Sequence, residues 1–296
     1  MLMRFFFCLA AASLLLFAAP APFSGKLAMD HTTRAVAFGP RPAGSAANTA
    51  LQGYIIQQLK ANGCTATAKC EVIEDAFRGN APSGPVPMKN ILAHFKGTSG
   101  KAIAVSGHFD TKYYPGRRFV GASDGASSTG LLLELTRVAA SRPHTDDLYI
   151  VFFDGEEAFG DWTATDSLYG SRHLAEKWKA DGTLTKLKGL INVDMIGDSD
   201  LNLRQETNGD PKLRALVWNT AAEMGFQANF LPRATLATDD DHMPFVRMGA
   251  PAIDIIDFDY PPWHTDDDTL DKVSARSLEI VGSVVAESIR RLEIAK

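Results

Sequence analysis

Continuous apolar runs alternate with amphipathic ones along most of this chain, and that rhythm predicts its architecture. Residues 102–107, 148–153, 190–193 and 252–256 are apolar at nearly every position, the pattern of strands buried on both faces. Two further strand candidates lie at 70–73 and 90–95. Helical spacing governs 46–62, where Leu51, Tyr54, Ile55, Leu59 and Ala61 supply one face and Gly63 ends the helix. Helices are also predicted over 127–140, 169–179, 211–224 and 274–292; in the last, Leu278, Val281, Val285, Ile289 and Leu292 recur at helical spacing. The residues up to Gly39-Pro40-Arg41-Pro42 read as a loose segment, and 78–87, rich in Gly, Pro and Ser, reads as a surface loop. Buried strands alternating with helices predict an α/β fold, a three-layer α/β/α sandwich around a mixed, mostly parallel sheet.

Composition narrows the function. The 296 residues are 45% hydrophobic and 22% charged, values of an ordinary globular protein. A net charge of −5 offers no basic footprint for nucleic acid. Met1-Leu2-Met3-Arg4, an apolar run over 5–19 and then Ala19-Pro20-Ala21 read as a signal peptide over 1–21, with a retained membrane anchor as the alternative. The run is shorter than the roughly 20 residues a bilayer-spanning helix needs, so no stable anchor is expected. The chain is thus read as exported, periplasmic or extracellular, with one monomeric domain over 22–296. Export removes Cys8 and leaves Cys64 and Cys70, read as a disulfide, with two free thiols as the alternative.

Charged residues then fall where such strands end. His108 and Asp110 follow one strand, Glu156 and Glu157 follow Phe152-Phe153-Asp154-Gly155, and Asp194 closes Leu190-Ile191-Asn192-Val193. His264 lies in the loop after 252–256, and Asp124 precedes the helix that follows the His108 strand. Carboxyl ends of strands are where open α/β sheets place their ligand crevice. A hydrophobic strand running into Glu-Glu needs a compensating partner, because buried carboxylates are costly. His108, Asp124, Glu157, Asp194 and His264 form an oxygen and nitrogen ligand set that suits zinc, with Glu156 beside it as general base or acid.

These residues, in order His108-Phe109-Asp110, Asp124-Gly125, Glu156-Glu157, Asn192-Val193-Asp194-Met195 and His264-Thr265, resemble the pattern of M28-type zinc aminopeptidases. The chain is more similar still to the animal-type glutaminyl cyclases of that fold. The similarity rests on residues 153–159 with Trp162, on Asp166-Ser167-Leu168-Tyr169-Gly170-Ser171-Arg172-His173-Leu174, on Asp240-Asp241-His242, and on Trp263-His264-Thr265. The resemblance implies a zinc aminopeptidase-like fold and one zinc per chain held by Asp124, Glu157 and His264. It makes Glu156 the proton shuttle, sets Asp194 and Asp240 in its hydrogen-bond network, and lines the pocket with Trp162 and Trp263. His108 would stand near the metal without holding it. Implied substrates are peptides and proteins beginning with Gln, and more slowly Glu, cyclised to pyroglutamate. The alternative is a two-zinc aminopeptidase, in which His108 and Asp194 become ligands as well.

The chain departs from the animal pattern at Gly107 and Thr129, where those enzymes carry a cysteine pair, and at Asp239, where they carry a glutamine. Among the remaining polar residues, Asp110 is expected to support His108 or a neighbouring ligand. The run Asp266-Asp267-Asp268 is expected to solvate a loop, with a member free to orient His264. His31, His94 and His144 are assigned no role, His173 a local hydrogen bond, and Trp178 and Trp218 helix packing.

Overall fold

The computed structural model describes residues 21–65 and 69–295, so the export signal expected over 1–21 falls almost wholly outside the described residues. A six-stranded mixed sheet forms the centre. Strands β1 (Cys70–Ala81) and β2 (Gly84–Phe95) make an antiparallel hairpin at one edge, and β2 pairs antiparallel with β4 (Asp147–Phe153). From β4 the sheet continues in parallel through β3 (Ala102–His108), β5 (Leu187–Asp194) and β8 (Ala252–Ile256). Helices α1 (Gly25–Val36), α2 (Ala46–Ala61), α3 (Ala126–Ala140), α5 (Pro211–Glu223) and α7 (Ala275–Ile294) contribute to the core on one face. On the other face lie α4 (Tyr169–Asp181) and the short α6 (Met243–Arg247). Successive strand residues serve opposite layers: Ile103 and Val105 join the first core, while Ala102 and Ala104 join the second. That double duty is why these strands are apolar throughout.

Two expectations need correction. The segment before residue 37 is not loose; it forms α1, capped by the Ser24 hydroxyl accepting from the Leu27 amide. Its buried positions are Gly25, Ala28, Thr32 and Ala35, too small to register as an apolar stripe. Their size permits close packing: a Cβ on Gly130 of α3 would collide with the Ala28 carbonyl and the Thr32 hydroxyl. Residues 78–87 are likewise no free loop but the far half of the β1–β2 hairpin, which turns at Ala81–Gly84. Pro85 and Pro87 are tolerated because β4 pairs with β2 only over residues 91–95. Lys89, of the same strand parity, sends its amide away from β1 to Asp154, so the missing proline donors face a side without a strand. A second, two-stranded sheet of β6 (Leu203–Glu206) and β7 (Phe230–Leu236) was also not foreseen, since neither strand has an apolar run. The Cys64–Cys70 disulfide is formed, and no helix among the described residues is long and apolar enough to cross a membrane.

One buried cation joins the loops that carry the polar residues. Arg41 has no exposed surface, and its guanidinium donates to the carbonyls of Phe109 (2.8 Å), Val120 and Gly121 (2.9 Å). Burial pulls its pKa down to about 10 against the opposing pull of Asp124, Asp110 and Asp268, so it stays charged at neutral pH. Arg41→Met leaves those carbonyls buried without their donor, at about 1–3 kcal/mol each. We expect a stability loss of about 3 kcal/mol or more in a urea titration; a loss below about 1 kcal/mol would show that Arg41 does not hold these loops.

Candidate metal centre and cleft

Four strand ends and one helix start converge on a single cleft. His108 ends β3, Glu156 and Glu157 follow β4, Asp194 ends β5, and Asp124 immediately precedes the α3 N-terminus. His264 comes from the loop after β8. The turns that aim these groups are unusual. Among the described residues the only non-glycine backbones with positive φ are Leu168 (52°), Met195 (47°) and His264 (56°). Met195 adjoins Asp194, and the Leu168 amide donates to the Glu156 carbonyl at 2.7 Å. Left-handed backbone at such residues costs about 1–3 kcal/mol each and persists where the surroundings overdetermine it. Gly125, at φ 85°, is required as glycine for space too, since a Cβ would press on the Asp110 carbonyl and the His108 ring.

Buried carboxylates fix the rest. Asp110 accepts from the amides of Glu156 (3.1 Å) and Glu157 (3.3 Å), so one side chain aims both glutamates. Asp268 accepts from the amides of Ser123 (2.8 Å) and Asp124 (3.1 Å) and from the Tyr260 hydroxyl (2.6 Å). It therefore braces Asp124, rather than His264, while Asp266 and Asp267 stay in solvent contact.

Two groups with metal-ligand geometry share Asp124: Asp124 with Glu157 and His264, and Asp124 with His108 and Asp194. In the first, His264 Nε2 stands 3.1 Å from Glu157 Oε1 and 3.3 Å from Asp124 Oδ2. In the second, His108 Nε2 lies 3.0 Å from Asp194 Oδ1 and 3.1 Å from Asp124 Oδ1. Asp124 Oδ2 and Glu157 Oε2 are buried with no hydrogen-bond partner among the described residues, as expected of atoms shaped to hold a cation. The titration behaviour agrees. Burial would lower the His264 imidazole, yet Asp124 and Glu157 push it up to about 10: the site draws a proton where positive charge is wanted. A divalent metal would displace that proton.

Beside this centre Glu156 is buried, and its carboxyl is held well above the usual carboxylate range. Burial is the main cause; His108 opposes it, while Glu157, Asp240 and Asp241 add to it. Asp240 is raised to about 6 by burial and by Asp194, and accepts from Asn192 Nδ2 at 3.2 Å. The cleft encloses 530 Å³ and is lined by Asp124, Glu156, Glu157, Asp194, Asp240 and His264. Trp162 and Trp263, 40% and 42% exposed, stand at its mouth, and Trp263 stacks on His264 at 4.4 Å.

The structure thus gathers in one cleft every metal-ligand, proton-transfer and pocket residue proposed from sequence except His108, which lies behind it at 1% exposure. Sequence reasoning missed Lys112, whose Nζ donates to the Ala158 carbonyl (3.1 Å) and lies 3.6 Å from Glu157 Oε2. Its place four residues after His108 on the same strand-end loop was the available signal. His242 does not line the cleft; it is buried 3.3 Å from Glu206. The His173 ring hydrogen-bonds the Asp75 carboxylate at 3.4 Å, a partner distant in sequence, and stacks on Phe77 at 4.4 Å. Trp178 and Trp218 pack as expected.

Comparison with known proteins agrees with this geometry. The model of peptidase family M28 matches residues 90–289. The glutaminyl-peptide cyclotransferase of Drosophila melanogaster is 30% identical over 257 residues, which span 77% of this chain and 70% of that protein. The crystal structure of an Acidobacteriales bacterium glutaminyl cyclase superposes with a TM-score of 0.87 at 36% identity, covering 97% of this chain and 99% of that one. A leucine aminopeptidase precursor from Bacteroides thetaiotaomicron superposes with a TM-score of 0.83 at 26% identity, over 94% and 99% of the two chains.

Proposed function

This chain belongs to peptidase family M28, and from that premise we propose that it is a glutaminyl-peptide cyclotransferase. It converts N-terminal Gln, and more slowly Glu, of peptides and proteins to pyroglutamate. The observation that carries this reading is the joining of one three-ligand centre, a buried glutamate beside it and two indoles at the mouth of one cleft. Zinc held by Asp124, Glu157 and His264 would supply Lewis-acid polarisation of the γ-amide oxygen.

The chain's own groups perform the remaining work. The cleft behind Trp162 and Trp263 holds the Gln side chain folded back toward its own α-amine, the proximity that makes an intramolecular attack fast. Glu156 accepts the proton released as the α-nitrogen bonds to the γ-amide carbon, and delivers it to the departing nitrogen as that C–N bond breaks. Ammonia leaves and no water is consumed. A buried carboxylate with raised proton affinity suits this exchange, because it must both take and return one proton near neutral pH. Asp240 and Asp194 form the acidic wall behind it. Export as a single domain over 22–296 fits the disulfide, which persists in oxidising compartments.

A second reading has one observation in its favour: the His108–Asp124–Asp194 group could take a second ion and make the site a two-zinc aminopeptidase. Mass spectrometry of zinc-loaded protein with a Gln-initiated and a Leu-initiated peptide separates the two. We expect loss of one ammonia from the first and no change in the second. Release of the first residue from either peptide would establish the aminopeptidase instead.

A further inference from the structure

The mouth of the cleft carries an uneven charge. Asp239 is exposed there, but its carboxylate is answered by Arg247 Nη2 at 2.6 Å. Lys112, the one lysine or arginine among the lining residues, is committed to Glu157 and the Ala158 carbonyl. Asp161 also lines the cleft and is exposed, and no cation pairs with it among the described residues. Its neighbour Trp162 presents an open indole, and Phe258 meets Trp263 edge-on at 5.3 Å across the same mouth.

The Asp161–Trp162 pair is held in place rather than trailing from a free loop. The Asp166 carboxylate accepts from the amides of Phe159 (2.9 Å) and Gly160 (2.8 Å) and from the Tyr169 hydroxyl (2.8 Å). The Thr163 hydroxyl accepts in turn from the Asp166 amide at 2.9 Å. An unanswered carboxylate beside an exposed indole complements one type of side chain, a cation on a long aliphatic stem. The carboxylate answers the charge and the indole face receives it.

We propose that Asp161 and Trp162 select substrates whose N-terminal Gln is followed by Lys or Arg, and disfavour an acidic residue there. The inference rests on the cyclase reading, in which the Gln side chain fills the inner cleft and the next residue meets the mouth. Both contacts are solvent-exposed, so the preference is moderate and salt-sensitive.

The test measures kcat/KM for the amidated peptides Gln-Lys-Ala, Gln-Ala-Ala and Gln-Glu-Ala. The expected Lys-to-Glu ratio is about tenfold at low ionic strength and shrinks to about threefold near 0.5 M salt. In Asp161→Asn the ratio within that protein falls below about threefold, while in Arg247→Ala, which releases Asp239, it rises. Turnover of Gln-Ala-Ala with a Lys-to-Glu ratio near one would overturn this inference and leave the cyclase reading standing. A ratio unchanged in Asp161→Asn would overturn the assignment to Asp161. Absence of ammonia release from every Gln peptide would remove the cyclase reading, and this inference with it.

Discussion

Glu156→Gln is expected to lower kcat/KM for a Gln-initiated peptide by about 10³-fold while leaving zinc bound at the same stoichiometry. The substitution keeps the shape of a side chain buried in the cleft and removes only its ability to carry the proton. General acid–base groups contribute about 10²–10⁴-fold, and here one carboxylate is asked to serve both the attacking and the leaving nitrogen. The effect therefore belongs no lower than the middle of that range. Glu156 is absent from both groups of metal-ligand geometry, so the centre should be undisturbed. Its amide is fixed by Asp110 and its carbonyl by the Leu168 amide, so the backbone should hold as well. Metal analysis alongside the kinetics checks the assignment. Zinc lost together with activity would make Glu156 a ligand and send the search for the proton carrier to Asp240.

How much of this was legible before folding depends on the range of the interaction. The strands β3, β4, β5 and β8 announced themselves because burial on both faces leaves an unbroken apolar run, and the ligands announced themselves by ending those runs. Helix α1 was invisible because its contact face is built from Gly25, Ala28, Thr32 and Ala35, residues chosen for closeness rather than for apolar area. Prolines 85 and 87 argued for a loop, and only the pairing of β2 shows that their missing donors face no strand. The braces of the site were hidden for a related reason. Asp268 reaches the Asp124 amide across 144 positions of sequence, and nothing in the run Asp266-Asp267-Asp268 marks which member turns inward. Asp110 was expected to support His108 or a neighbouring ligand and does both, lying 3.5 Å from His108 Nδ1 and accepting from the amides of Glu156 and Glu157, though no spacing rule connects it to those amides. Ligand identity is thus written in residue type and strand end, while ligand orientation is written in long-range hydrogen bonds to backbone.

Removing the metal is expected to bring cyclisation down to the uncatalysed baseline, and one equivalent of zinc per chain to restore it. One ion rather than two is expected from where the two groups stand relative to the cleft. Asp124, Glu157 and His264 all line the cleft, so an ion among them meets substrate. His108 does not line it, and its Nε2 already lies between Asp194 and Asp124 at 3.0 and 3.1 Å. His264→Ala should accordingly weaken zinc binding on the order of 100-fold or more, since losing a ligand costs at least as much as losing its supporting partner. His108→Ala should retain one zinc per chain. Chelation should also lower the thermal midpoint, because an ion that binds only the folded chain stabilises it. That readout is independent of turnover. Restoration requiring two equivalents, with His108→Ala binding only one of them, would show that the Asp124–His108–Asp194 group is a working metal site, and the aminopeptidase reading would then take precedence.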